Sequence, residues 1–371
     1  MNFHELGLHM QLLKKVLLGL MGLALVVAAV VWVFQKEVGT ALLQRVAHAA
    51  VGRNIIPTLP DGLHVALCGT NGPFPDPTRA GPCTAIIAGD RLFVVDAGEG
   101  SARNMGYMGL PLGKVEALLL THFHSDHIDG LGPFMLQHWG MATATTPLPI
   151  YGPTGVDQVV DGFRAAYVLD YGYRVAHHSE KIMPSGGSGG KGLPFTLPPV
   201  GQGDTVVVLE DKGLKITAFR VNHAPIEPAV GYRFDYKGRS VVITGDTKLT
   251  PTVATAAKDA DILIHEALQP TLVNILGAEL AAKNMGNLVH VMRDILNYHT
   301  TPEEAAAQAH AAQVKHLVYN HIVPPLPVKF AYPAFVGDAA KFFDGPITVG
   351  EDGMLFTLPA NSSVIETKRL M

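Results

Sequence analysis

The run Thr121-His-Phe-His-Ser-Asp-His127 concentrates three imidazoles and a carboxylate directly after the largely apolar segment 115–120. Imidazole nitrogen and carboxylate oxygen are the ligand atoms of zinc and similar divalent ions. His122 and His124 stand two apart while Asp126 and His127 are adjacent, so an irregular loop can aim them at two points. A polar, histidine-rich surface loop is the plainer reading. It does not explain why the run follows a strand of buried type, nor what comes later in the chain.

Four more apolar runs end on residues of the same kind. LKITAFRV leads into Asn222-His223, SVVIT into Gly245-Asp246-Thr247, DILI into His265-Glu266, and HLVY into Asn320-His321. Strands that deliver ligand-type or acid–base residues at their ends describe a sheet with a site along one edge. Alone, His223 or His321 would read as an ordinary histidine. In this order, after the anchor run, they read as ligands.

The supporting elements follow from local pattern. Residues 64–67, 86–88 and 92–96 read as strands, the last two a hairpin turning at Gly89-Asp90. A helix starts at Ser101, and another over 302–313 carries Glu303 and Glu304 in its first turn, favourable against the helix dipole. The segments 347–350 and 354–358 read as a closing hairpin turning at Asp352-Gly353. The glycine- and proline-rich stretch 184–203 reads as a mobile loop. Strands and helices in this alternation predict two sheets flanked by helices.

Further segments carry a resemblance. Leu67-Cys-Gly-Thr-Asn-Gly-Pro73, Arg79-Ala-Gly-Pro-Cys-Thr84 and Val95-Asp-Ala-Gly-Glu-Gly100 resemble the opening of the ribonuclease Z branch of the metallo-β-lactamase fold superfamily. Tyr151-Gly-Pro153, Val230-Gly-Tyr-Arg233, Ile264-His-Glu-Ala267 and Tyr298-His-Thr-Thr301 continue the pattern. The likeness runs from about Leu63 to the C-terminus. It implies an α/β fold, an αββα sandwich. That branch also holds metal-dependent arylsulfatases and other ester hydrolases, so the resemblance implies phosphoester or sulfoester hydrolysis without choosing between them.

Carried over residue by residue, the resemblance implies two zinc ions or other divalent metals. His122, His124 and His223 would hold one; Asp126, His127 and His321 would hold the other, with Asp246 shared. Two such ions about 3.5–4 Å apart can generate hydroxide from water and stabilise charge on ester oxygens. Catalytic roles fall to His299, Glu266 and Asp126. His299 resembles the histidine that meets the departing oxygen, and Glu266 the carboxylate that orients it. Position 268 is Leu, where the family commonly has Thr, which removes a hydroxyl there but not the carboxylate. Asp96 is placed either to support a histidine ligand or to cap a turn.

Composition sets outer limits. A formal net charge of −4 argues against a general nucleic-acid footprint. The two cysteines, Cys68 and Cys83, are too few for a disulfide scaffold; two buried thiols are expected, with pairing open in an oxidising compartment. Residues 16–34 carry no charged side chain and are one bilayer long, which predicts a transmembrane signal-anchor over 16–36. Lys14 and Lys15 ahead of it favour a short cytoplasmic tail, 1–15, and a catalytic domain on the far side. Cleavage near Ala47-His48-Ala49 and secretion is the alternative. Residues 35–50 suggest a short membrane-proximal helix and 54–61 a linker, so that 37–60 joins the anchor to a hydrolase domain over 61–371.

The expected function is therefore a membrane-anchored, dinuclear zinc hydrolase of small phosphoesters or sulfoesters. One alternative is a ribonuclease Z-like 3′ tRNA-processing endoribonuclease; another is a non-catalytic metal-binding module. Nucleic acid is disfavoured because ribonuclease Z proteins typically carry a tRNA-gripping arm between the Gly-Tyr-Arg and Gly-Asp-Thr segments. Here Gly231 to Asp246 reads as one hairpin turning near Lys237-Gly238. The extra length instead lies in 269–297, apolar enough to form a helical pair covering a small or aromatic ester. A homodimer is left open.

Overall fold

The computed structural model describes residues 3–371, which form two compact units, one up to Arg53 and one from Asn54 to Met371. The first unit contains α1 (Phe3–Val33) and α2 (Gln35–Ala50). Within α1, His9–Val33 is a 25-residue apolar span whose most apolar window is not buried. At 1.5 Å per residue it is long and apolar enough to cross a bilayer. The helix breaks at Phe34, and α2 is the short helix expected after it.

In the second unit, alternation of apolar side chains builds two sheets with a core on each face. One sheet contains β1 (Gly62–Gly69), β2 (Cys83–Ala88), β3 (Arg91–Val95), β4 (Val115–Leu119), β5 (Leu148–Pro153) and β6 (Gly190–Phe195). The other contains β7 (Thr205–Asp211), β8 (Leu214–Arg220), β9 (Val230–Tyr236), β10 (Arg239–Ile243), β11 (Ile262–Leu268), β12 (His316–Val323) and β13 (Ile347–Val349). The chain then returns to the first sheet as β14 (Met354–Pro359) and β15 (Glu366–Arg369), giving the order β15-β14-β1-β2-β3-β4-β5-β6.

Leu63, Val65 and Leu67 alternate with Ala66 and Cys68 along β1, so one set enters the core between the sheets and the other the core under the helices. Phe93, Tyr232, Phe234, Val241 and Ile264 complete the inter-sheet core. Outside the first sheet lie α3 (Ser101–Met108), α4 (Ser125–Ile128), α5 (Leu131–Ala142) and α6 (Val156–His178). The second is flanked by α7 (Pro251–Ala256), α8 (Pro270–Ala282), α9 (Gly286–Asp294), α10 (Pro302–Ala311) and α11 (Tyr332–Val336). The layers are the expected αββα sandwich. The helical pair expected within 269–297 is α8 and α9, packed through Val273, Met292 and Ile295 against Phe74 and Tyr298.

Four local expectations are corrected. Residues 184–203 are not simply a loop, because β6 pairs in parallel with β5. Gly192 in this strand lets α6 lie close against it: a Cβ there would stand 2.5 Å from Asp157 Cα. The C-terminal segments are not a hairpin, since β13 pairs with β12 and β14 with β1, in different sheets. Between them the buried Asp352 is pinned by Thr70 Oγ1 and the Ala80 N–H, at 2.7 and 2.6 Å. Residues 54–61 are more than a linker, because Ile55 and Ile56 are buried in the core. Finally, Cys68 and Cys83 are joined in a disulfide, with Cα atoms 5.0 Å apart. A register shift between Leu67 and Gly69 in the β1–β2 ladder accompanies that pairing.

Candidate metal centre and active site

Every expected metal ligand lies at or just beyond the end of a strand, whereas His299 sits in the short segment between α9 and α10. After β4 the chain turns through His122 and His124 into the single turn α4, which carries Asp126 and His127. His223 follows β8, Asp246 follows β10, Glu266 lies on β11 and His321 on β12. The β11–β12 ladder pairs Glu266 with Asn320 and Ala267 with Ile322, leaving His321 as the extra residue of a bulge. Bulges re-aim a side chain, and here the residue also has left-handed φ of 46°. Asp96 is likewise left-handed, at φ 59°. Gly245, at φ 61°, must be glycine, because a Cβ would meet that of Thr121 at 2.8 Å.

The seven expected ligands converge in two groups. His122 Nε2 lies 3.0 Å from His124 Nδ1, and His223 Nε2 3.3 Å from the same atom. Asp246 Oδ2 stands 3.8 Å from His122 Nε2 and 3.9 Å from His223 Nε2. On the other side, Asp126 Oδ2 is 3.6 Å from His127 Nε2 and 3.2 Å from His321 Nε2. Asp246 also reaches this group, at 3.3 Å from His127 through Oδ1 and 3.3 Å from His321 through Oδ2. It is the carboxylate common to both.

Hydrogen bonds on the far side of the rings fix their tautomers. His127 Nδ1–H donates to Asp96 Oδ2 at 2.9 Å, and His223 Nδ1–H to the Tyr298 carbonyl at 3.1 Å. His122 Nδ1–H donates to Thr121 Oγ1 at 3.1 Å, and that hydroxyl donates to Asp96 Oδ2 at 2.9 Å. In each ring Nε2 is left as a lone-pair donor facing the centre. The Asp96 carboxylate thus supports two imidazoles, the first of its two expected roles. His265, by contrast, is a satisfied core histidine bonded to the Glu266 carbonyl and to Gln308.

These residues fit a pair of cations. Burial pushes His122 well below the usual imidazole range and lowers His124 and His223, so all three favour the neutral, ligating form. Burial acts the same way on His127, but the carboxylates of Asp246, Asp126 and Asp96 outweigh it and raise that ring well above the ordinary value. The centre therefore holds more negative charge than its neutral rings balance. His127 Nε2 and Asp246 Oδ1 are buried with no hydrogen-bond partner, as expected of atoms arranged for a metal.

His299 and Glu266 stand beside the shared carboxylate. His299 Nδ1 is 3.0 Å from Glu266 Oε1, and His299 groups with Asp246 and His321 within 4.8 Å. Burial disfavours the imidazolium, yet the adjacent Glu266 charge and hydrogen bond outweigh it and raise the His299 pKa to about 9. Four contributors carried no expected role: Thr121, Tyr298, and Thr247 and Thr300, whose N–H groups donate to Glu266 Oε1. Three act through backbone groups, which leave no mark in residue type. Only the Thr121 hydroxyl, inside the histidine run, offered a signal.

Comparison with known proteins bears on the family and the fold. A family model described as a beta-lactamase superfamily domain matches residues 91–322. A protein named Ribonuclease Z from Mycolicibacterium gilvum is 34% identical over 296 residues, covering 78% of this chain and 94% of that one. Another of that name, from Mycobacterium bovis, is 34% identical over 294 residues, covering 78% and 96%. Among solved structures, human tRNase Z, short form, superposes with a TM-score of 0.55 at 22% identity, over 80% of this chain and 99% of that one. The metallo-β-lactamase fold protein YhfI from Bacillus subtilis gives 0.52 at 20%, over 79% and 98%. The fold and site define a metal-dependent hydrolase. The chain belongs to the β-lactamase superfamily, with its relatives in the ribonuclease Z branch.

Proposed function

We propose that this chain is a metal-dependent phosphodiesterase acting on RNA, as the name of its relatives implies. The comparisons favour this over the small ester first expected from sequence, and they weigh against the expectation that nucleic acid is excluded. The observation that carries the reading is the His299–Glu266 pair beside Asp246. A metal-binding module needs the ligands but not this pair.

In this reading His122, His124 and His223 would hold one zinc or similar ion and Asp126, His127 and His321 the other, with Asp246 near both groups. Such ions, when bound, would supply Lewis-acid charge for the ester oxygens and make water a competent nucleophile near neutrality. Asp96 holds His127 and, through Thr121, His122 in the ligating tautomer. Glu266 holds the His299 proton inventory: with Nδ1–H committed to the carboxylate, Nε2–H is left to protonate the leaving oxygen. The raised pKa keeps that proton available at neutral pH.

A second reading, a small phosphodiester, is favoured by one feature of the fold. Strands β9 and β10 join directly at Lys237-Gly238, so the hairpin has no tRNA-gripping arm of the kind that the resemblance describes. We further propose that α1 anchors the protein and that the catalytic domain lies outside the cytoplasm, supported by Lys14, Lys15 and the Cys68–Cys83 disulfide. That placement also suits a small substrate better than a cytoplasmic RNA precursor. Assaying pre-tRNA cleavage beside bis(p-nitrophenyl) phosphate tests both readings. Site-specific 3′ cleavage supports the ribonuclease; turnover of the small diester alone replaces it with the second reading; turnover of neither removes both.

A further inference from the structure

The insertion that forms α8 and α9 puts no residue into the wall of the cavity, about 580 Å³, beside Asp126. That wall comes from the loop between β1 and β2 and from Glu99, Asp126 and Asp129. The inward side chains of the insertion go elsewhere. Val273, Met292 and Ile295 are buried together with Leu268 of β11 and Val323 of β12, and Tyr298 packs against this cluster. Leu268 stands where the family pattern commonly has Thr, and here an apolar residue is what the cluster accepts.

Tyr298 is where the cluster meets the ligand set. Its carbonyl accepts His223 Nδ1–H at 3.1 Å, and its ring stands edge-on to the same imidazole, with centroids 5.4 Å apart. His122 and His127 are supported differently, through Asp96, which follows β3 and is itself pinned by the Thr121 N–H at 2.8 Å. His223 lies beyond the end of β8, and its acceptor lies 75 residues further on. Residues 298–301 belong to no strand or helix, so no ladder fixes the direction of that carbonyl. Side-chain packing of Tyr298 does, because a close-packed interior gives little.

We propose that α8 and α9 are a buttress for the ligand His223, with Met292 and Ile295 as positioning residues that act through Tyr298. The proposal rests on the metal-centre reading above and adds what orients one of its rings. Shrinking a cluster residue leaves space into which Tyr298 relaxes. The carbonyl then moves off Nδ1, and the His223 ring loses both its direction and its fixed tautomer. An ion at His122, His124 and His223 becomes easier to remove. An ion at Asp126, His127 and His321 keeps the support that Asp96 gives His127.

The test is removal of zinc from the loaded full-length protein in detergent, read by competition with a chromophoric chelator. In Met292→Ala one ion should be held about tenfold more weakly and the other as before. Met292→Leu restores the volume and should restore the affinity. The effect should vanish in a His223→Ala background and persist on the remaining ion in a His321→Ala background. Val160→Ala, in the core beneath the helices of the first sheet, controls for lost stability alone: its melting temperature should fall with both affinities intact. Equal loosening of both ions by Met292→Ala, or no loosening, overturns the buttress. Ile295→Val, one methylene smaller, gives the same reading if Met292→Ala does not fold. No substrate enters this measurement, so it stands apart from catalysis. Selective loosening in a chain that cleaves neither pre-tRNA nor bis(p-nitrophenyl) phosphate keeps the buttress and removes the phosphodiesterase reading. Cleavage without selective loosening does the reverse, and a chain that takes up no zinc removes both.

Discussion

Glu266 Oε1 stands 3.0 Å from His299 Nδ1 while also accepting the backbone N–H groups of Thr247 and Thr300, at 3.1 and 3.2 Å. Three donors from two segments converge on one carboxylate oxygen, so the pair is set before any substrate arrives. The Thr300 hydroxyl donates to the Thr247 carbonyl at 2.5 Å and ties those two segments together.

Acid catalysis by His299 makes two linked expectations. His299→Ala should keep its metals but lose roughly two to four orders of magnitude in rate, with a smaller loss for substrates whose leaving groups need no proton. An equal loss for nitrophenyl and alkyl esters contradicts the assignment. The active form is protonated, and its pKa is raised to about 9, so activity is present below that value and is lost as pH rises through it. Glu266→Gln removes the raising charge and should move the alkaline limb of the pH–rate profile to lower pH. A limb that stays in place assigns it to another group.

Asp246 serves both ligand groups, so Asp246→Ala should lose metal and activity together. Elemental analysis of the purified variant measures this directly. Full occupancy by two divalent ions would remove Asp246 from the shared position. His265→Ala is the matched control: it disturbs the core through Gln308 but leaves the ligand set whole, so its metal content should hold.

Asp96 tests the support behind the rings. Asp96→Asn keeps the volume but presents one donor where His127 Nδ1 and the Thr121 hydroxyl need acceptors. Metal affinity should fall about 10–100-fold, read by competition with a chromophoric chelator. An unchanged affinity would return Asp96 to the role of a turn cap.

The positions of the ligand-type residues were legible because metal chemistry restricts residue types, and because each follows a strand that its own apolar run announces. His122 to His127, His223, Asp246 and His321 could be picked out with no knowledge of sheet order. What could not be read depends on backbone and register. The bulge at His321 changes where that side chain points without changing any residue. Strand β6 pairs through its main chain, and its glycines, which look like loop residues, are what let α6 approach. The segments β13 and β14 look like a hairpin because local pattern cannot report that buried Asp352 sends the chain from one sheet to the other. The carboxylate Glu266 was legible, but the amides that hold it were not.

The disulfide was misjudged for a related reason: whether two cysteines pair depends on strand register. Cys68 and Cys83 are 15 residues apart and close the loop that bears Asn71, Phe74 and Arg79. A loop of this size contributes about 3 kcal/mol on the chain-entropy account. Cys68→Ser/Cys83→Ser should therefore lower the melting temperature by several degrees, with calorimetry as the measure. Both sulfurs are buried, so the bond is formed during folding and records the compartment in which folding occurs. Rapid acid quenching of intact cells, denaturation and alkylation should then find the pair fully oxidised if the domain lies beyond the membrane. Recovery of two alkylated thiols from such cells would place the domain on the reducing side and overturn the orientation argued from Lys14 and Lys15.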